Sequence, residues 1–120
     1  MDGIRSPART GIRARGGATL IAIMALAAAA CSEATPAART HVVAIRGFQY
    51  APQTASVSVG DTVVWTNEDV VPHTATAAGG RWDTGSIGSR ASGRVVITRK
   101  GKQAYVCAFH PGMKAELVVE

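Results

Sequence analysis

The sequence is poor in cysteine and in aromatic residues, and each shortage excludes a class of protein. It contains two cysteines among 120 residues, and because Cys31 ends an apolar N-terminal run, Cys107 is the only cysteine in the rest of the chain. A single cysteine cannot form a disulfide within its own domain, so Cys107 is a reactive thiol, an intermolecular bridge or a metal ligand. Aromatic residues make up 5% of the sequence and do not alternate with a basic block, which argues against nucleic-acid binding.

The positive charge of the chain is concentrated at its N-terminus. The whole sequence carries 13 Lys and Arg against 8 Asp and Glu, but four of the arginines and only one acidic residue lie in the first 17 positions. From residue 31 onward, nine basic residues stand against seven acidic ones, a net charge of +2. So mild an excess does not indicate a polyanionic partner.

The first 30 residues are predicted to be a signal peptide. A basic segment precedes an apolar run from Ala18 to Ala30, and the run ends in small residues, as secretory signals do. It is shorter than the roughly 20 residues that a membrane-spanning helix needs. An uncleaved N-terminal anchor is the alternative. We therefore expect an exported protein, in the periplasm or at the cell surface.

Cys31 follows three alanines in a pattern that resembles the lipobox of bacterial lipoproteins, although the lipobox usually has Leu where this chain has Ala28. A lipidated Cys31 would tether the protein to a membrane surface without spanning it. Ordinary cleavage at an A-x-A site would instead release a soluble protein. Residues 31–40 are small, polar and proline-containing, which predicts a flexible linker before the folded domain.

From residue 41 to residue 120, short segments rich in β-branched residues alternate with turn residues, and no segment has a sustained helical period. The expected strands are HVVAI (41–45), ASVSV (55–59), TVVWT (62–66), RVVIT (94–98), QAYVC (103–107) and AELVV (115–119). Many short strands with frequent turns predict an all-β sandwich or barrel. A domain of about 80 residues has little core of its own, so a metal would help to stabilise it.

Cys107, His110 and Met113 are evenly spaced in the segment YVCAFHPGM, residues 105–113. Thiolate and thioether are soft ligands and imidazole is borderline, and two His with one Cys and a weak axial Met form the ligand set of blue-copper sites. The second histidine is His73, in the upstream segment DVVPHTAT. A Pro-Gly pair between His110 and Met113 can turn the chain back, so that the local ligands converge.

Other interpretations of these residues account for fewer of them. Zinc sites use Cys, His or carboxylate but not thioether. A nucleophilic Cys–His pair would leave Met113 without a role, and no oxyanion-hole loop accompanies it. His73 alone would be an ordinary turn histidine, and Met113 alone would be packing. The remaining histidine, His41, is predicted to be a solvent-exposed residue at the start of a strand.

The segments SVGDTVVWTNEDVVPHTATA (58–77) and YVCAFHPGM (105–113) resemble the cupredoxins, and among them the plastocyanin, amicyanin and pseudoazurin group. The resemblance implies a Greek-key β-sandwich over residues 41–120, with one copper ion held near one end. It implies that His73, Cys107 and His110 are ligands, that Met113 is the axial ligand, and that Asn67 steadies the ligand loop by hydrogen bonds.

The resemblance also implies a function. The expected protein is a monomeric one-electron carrier that cycles between Cu(I) and Cu(II), exchanges electrons with protein redox partners and is not an enzyme. The alternative is a protein that binds copper and delivers it to a copper enzyme. Met113 is the only methionine of the domain, which argues against delivery, because such proteins usually expose Met- and His-rich clusters.

Overall fold

The computed structural model describes residues 3, 11–13, 16–17 and 35–120, and every regular element within them is a β-strand. The strands are β1 (Thr40–Arg46), β2 (Gln49–Ala51), β3 (Thr54–Val57), β4 (Thr62–Asn67), β5 (Thr76–Ala77), β6 (Ser92–Val96), β7 (Gly101–Val106) and β8 (Lys114–Val119). No helix in the described part of the chain is long and apolar enough to cross a membrane. Cys31 and most of the predicted signal peptide lie outside the described residues, and the predicted boundaries at residues 30 and 40 stay predictions.

The eight strands form two four-stranded sheets, one in the order β2-β1-β4-β6 and the other in the order β3-β8-β7-β5. Strands that are neighbours in space are often distant in sequence, since β1 pairs in parallel with β4 and β3 pairs in parallel with β8. The chain therefore crosses between the sheets instead of running up and down within one. The predicted all-β, cupredoxin-like sandwich is confirmed.

The core lies between the two sheets because alternate residues of each strand face inward. In β4 the buried residues are Val63, Trp65 and Asn67, and in β8 they include Leu117. Trp65 contacts Tyr105 of the opposite sheet edge-on, with ring centroids 5.5 Å apart. This aromatic contact joins the two inner faces at the centre of the sandwich.

Two strands were not predicted, and two others, β6 and β7, begin two residues earlier than predicted. β2 and β5 have only three and two residues, too few for alternation to be recognised. β6 begins at Ser92 because Ser92 and Gly93 already pair with β4, although neither is a typical strand residue. Space favours Gly93 there, since a Cβ atom would approach the side chains of Ile87 and Thr84 to 3.0 Å and those side chains would have to shift.

The prediction that His41 is simply solvent-exposed is wrong, because its ring is partly buried against a carboxylate. The Nε2 atom of His41 lies 2.7 Å from Oδ2 of Asp61. Asp61 also accepts hydrogen bonds from the backbone N–H groups of Arg39 and Ser58, each at 2.9 Å. These bonds, the one from Arg39 first and those from His41 and Ser58 next, lower the pKa of Asp61 from 3.8 to about 2.

The lowered pKa of Asp61 predicts how stability changes in acid. A carboxyl group with a lower pKa in the folded state stabilises the protein fully above its unfolded pKa of 3.8, and this contribution is lost as the pH falls toward 2. An Asp61→Asn variant should therefore melt at a lower temperature than wild type at pH 7, and the difference should shrink between pH 4 and pH 2.

Thermal unfolding of both proteins across this pH range tests the prediction. Glu68→Gln is the control, because it removes an exposed carboxylate that pairs with Arg46 at the surface, and such pairs contribute little. A melting difference between wild type and Asp61→Asn that stays constant from pH 7 to pH 2 would contradict the assignment.

Candidate metal centre

The structure brings together three of the predicted ligands, although His73 is more than 30 residues from the other two. The Sγ atom of Cys107 lies 3.8 Å from Nδ1 of His73 and 3.6 Å from Nδ1 of His110. The three ligand atoms all lie within 4.8 Å of one another. His73 and Cys107 are fully buried and His110 is partly exposed, so the cluster reaches the surface at His110.

The ligand loop begins directly after β7 and folds back on itself through backbone hydrogen bonds. The N–H of His110 donates to the carbonyl of Cys107 at 3.2 Å, and the N–H of Met113 donates to the carbonyl of His110 at 2.9 Å. The N–H of Cys107 closes the loop by donating to the carbonyl of Met113 at 3.1 Å. Met113 is buried next to the start of β8, and its predicted role as axial ligand stays a prediction.

His73 is held from its backbone and from its ring. Its backbone N–H and C=O both bond to Ile87, at 3.1 and 2.7 Å. Its Nε2 atom lies 2.8 Å from Oδ2 of Asp69. An ionised carboxylate accepts, so the contact favours the tautomer with the proton on Nε2, in which the lone pair of Nδ1 is left toward the sulfur of Cys107. A carboxylate behind a histidine ligand fixes its tautomer and orientation in this way.

Asp69 is a functional residue that the sequence did not reveal. Its carboxylate accepts hydrogen bonds from the backbone N–H groups of Gly47 at 2.7 Å and Phe48 at 2.9 Å, as well as from His73. Desolvation by itself would raise the pKa of Asp69, but these hydrogen bonds outweigh it and hold the pKa below its usual value. The only signal in the sequence is an acidic residue four positions before His73, and that spacing has no fixed meaning in a loop.

Thr74 connects the two segments that carry the ligands. Its backbone N–H points at Sγ of Cys107 at 3.3 Å, and its Oγ1 atom accepts a hydrogen bond from the N–H of Ala108 at 2.8 Å. The sulfur therefore has a hydrogen-bond donor on the His73 side. Such donors adjust the electronic properties of a bound thiolate.

Asn67 holds the segment that leads into His73. Its Nδ2 donates to the carbonyls of Val71 at 2.8 Å and Ile87 at 3.0 Å, and its Oδ1 accepts from the N–H of Asp69 at 2.9 Å. Asn67 is fully buried, and without it the carbonyl of Val71 and the N–H of Asp69 would lose their side-chain partner, while the carbonyl of Ile87 would keep the N–H of His73. It thus steadies the loop of His73, whose backbone also bonds to Ile87, rather than the loop from Cys107 to Met113.

The donor set fits a copper ion. Three donors bound to one ion at about 2.0–2.3 Å, in or near a plane, lie roughly 3.5–3.8 Å from one another. The sulfur–nitrogen separations of 3.6 and 3.8 Å agree with that spacing. One thiolate and two imidazoles in a largely buried site bind copper in preference to cations that favour oxygen ligands.

A two-sheet β-sandwich that brings one Cys and two His together is the arrangement of the cupredoxin class, as the sequence predicted. Comparison with known proteins agrees. Residues 37–120 match the profile of the copper binding proteins of the plastocyanin/azurin family. The chain belongs to this family, and it binds one copper ion.

The relatives are amicyanins and other copper proteins. The chain is similar to the amicyanin of Paracoccus denitrificans, with 30% identity over 84 residues, which are 66% of this chain and 64% of that protein. It is also similar to the structure of an oxidized variant of amicyanin, with a TM-score of 0.63 and 28% identity over 67% of this chain and 81% of the other. A Cu-containing nitrite reductase from Thermus scotoductus matches with a TM-score of 0.62 and 26% identity, over 68% of this chain but only 22% of that enzyme.

Proposed function

We propose that this protein is an exported type 1 (blue) copper protein that carries single electrons between protein redox partners. The observation that carries the proposal is the buried Cys107 sulfur, which has the Nδ1 atoms of two histidines 3.6 and 3.8 Å away. In this proposal His73, Cys107 and His110 bind the copper strongly and Met113 is its weak axial ligand. Bound copper would supply a centre that alternates between Cu(I) and Cu(II).

The residues of the chain keep the ligands in place through the redox change. Asp69 and the backbone of Ile87 hold His73, while Thr74 donates to the sulfur of Cys107. Ligands that are already held need little rearrangement when an electron arrives, which favours fast transfer. Because His110 is the partly exposed ligand, its edge is the route by which we expect electrons to enter and leave.

The alternative function is the delivery of copper to another enzyme. Two features favour electron transfer: a buried thiolate ligand, and a domain with Met113 as its only methionine. Catalysis by this chain alone is disfavoured, because four protein ligands leave no position for a substrate. The similarity to nitrite reductase covers only 22% of that enzyme.

The proposal is tested by the absorption spectrum of residues 32–120 loaded with Cu(II). We expect an intense band near about 600 nm, from charge transfer between the Cys107 thiolate and copper. An electron carrier should lose the band on one-electron reduction, keep its copper, and regain the band on reoxidation. Release of copper on reduction would favour delivery. A colourless protein, or one that prefers zinc, would refute the ligand assignment.

We also propose that Cys31 is lipidated after export, which would tether the domain to a membrane surface through the linker of residues 31–40. Two acyl chains on one residue are enough for stable anchoring. Replacing Cys31 with Ser should therefore move the protein from the membrane fraction to the soluble fraction of the cells that produce it. Equal partitioning of the two forms would refute the lipid anchor.

A further inference from the structure

We infer that Phe48 is a positioning residue, whose ring holds the imidazole of His110 at the metal. The inference rests on the proposed function. It concerns a residue outside the four ligands, at the tip of the hairpin between β1 and β2. The sequence gives no sign of this role, because the hairpin lies more than 60 residues before His110.

Phe48 makes an unusual double contact with the ligands. Its ring centroid lies 5.1 Å from that of His73 and 5.0 Å from that of His110, and both interplanar angles are 84°. The two imidazoles are 5.0 Å apart, so the three rings form a nearly equilateral triangle. Edge-to-face contacts of this kind are favourable and prefer a definite orientation.

Phe48 occupies a backbone conformation that its side chain disfavours. The turn consists of Gly47 and Phe48 alone, with φ angles of 58° and 59°, between Arg46 and Gln49, which pair across the hairpin. Two-residue turns of this hand prefer Asn-Gly, and a bulky residue with positive φ is a rare outlier. Glycine would fit the second position without strain, so the aromatic ring has a cost in stability.

Burial does not explain the choice of residue, because 48% of Phe48 is exposed and it is not part of the buried core. The strained turn is instead held in place by Asp69, next to the metal centre. Both N–H groups of the turn donate to Asp69, the carboxylate that also holds the ring of His73. The carboxylate of Asp69 therefore fixes the position of the Phe48 backbone relative to His73.

The ligand that benefits is His110. The ring of His73 is already fixed by Asp69, whereas within residues 35–120 the ring of His110 has no hydrogen bond apart from the contact of Nδ1 with Sγ of Cys107. His110 is also the ligand that reaches the surface. The ring of Phe48 thus supplies the orientation that a hydrogen bond supplies to His73.

Three variants of the copper protein test the inference. Phe48→Gly removes the ring and relieves the strained φ, Phe48→Leu removes the ring but keeps an apolar side chain, and Phe48→Tyr keeps the ring. The measurements are the melting temperature, the rate at which the Cu(I) protein gives up copper to a Cu(I)-specific chelating dye, and the proton NMR signals of the His110 ring in the Cu(I) form.

We expect Phe48→Gly to melt at or above the wild-type temperature and yet to release Cu(I) about tenfold faster, with broadened His110 signals. Phe48→Leu should also release copper faster, and Phe48→Tyr should restore the wild-type rate and signals. If Phe48→Gly released Cu(I) at the wild-type rate, the ring would be dispensable. If Phe48→Leu did so, any apolar side chain that shields the site would suffice. Either result would overturn the inference. If wild type itself lacks the band near about 600 nm, the proposed function fails instead.

Discussion

A Cys107→Ser variant is expected to lose the absorption band near about 600 nm completely, the largest effect predicted for any single substitution. The band requires a thiolate, and a serine hydroxyl neither ionises near neutral pH nor provides a soft donor. His73 and His110 would remain, so residual Cu(II) binding through the two imidazoles is expected, with a pale colour. Absorption spectra of wild type and variant at equal copper loading measure the effect.

The control separates loss of the ligand from loss of the fold. Thr74→Val removes the hydroxyl that accepts from Ala108, but it keeps the backbone N–H that points at the sulfur. This variant should keep an intense band, shifted in energy. Circular dichroism of both variants should match wild type. An intense band in Cys107→Ser would mean that another group binds the copper.

The second large effect is a loss of stability, which is expected from Asn67→Ala. The substitution leaves the carbonyl of Val71 and the N–H of Asp69 without their side-chain partner in a partly buried loop, while the carbonyl of Ile87 keeps the N–H of His73. Each unsatisfied group costs about 1–3 kcal/mol. We therefore expect the free energy of unfolding to fall by about 2 kcal/mol or more, and the melting temperature by roughly 8–16 °C.

A matched control for Asn67→Ala lies on the exposed side of the same sheet. Ser92→Ala removes the exposed hydrogen bond between the hydroxyls of Ser92 and Thr66, and should change stability by less than about 0.5 kcal/mol. Urea denaturation of the metal-free proteins measures both. Similar decreases in the free energy of unfolding of the two variants would contradict the role of Asn67. Copper retention should also weaken in Asn67→Ala only, because its loop carries His73.

Much of the fold was predictable because the longer strands are short runs of β-branched and aromatic residues bounded by turn residues, as β4 is. The spacing of Cys107, His110 and Met113 was informative for a similar reason. Three potential donors on one tight loop can converge on one ion, and soft donors restrict the metal. His73 was assigned because the ligand set needs a second histidine, and the resemblance to the family supported the assignment. Nothing in the local sequence shows that residues so far apart meet.

The residues that support the ligands were not predictable. Asp69 and Phe48 act through contacts between loops that approach each other only after the sandwich has formed. The Gly47-Phe48 turn also opposes the usual preference, because Asn-Gly is the common signal for this kind of turn. His41 was misjudged for the same reason, since its partner Asp61 is 20 residues away. Local patterns record which residues are buried, but not which polar groups meet.

The pairing of β3 with β8 determines when the copper site can first exist. Thr54 of β3 lies beside Glu116 of β8, about 60 residues later in the chain, and β8 also flanks β7, which leads into Cys107. Such long-range pairing folds slowly, because distant segments must meet before any contact stabilises them. Until β8 is in place, the second sheet cannot form, and neither can the ligand loop that joins β7 to β8. The complete copper site can therefore form only after β8 has joined the second sheet.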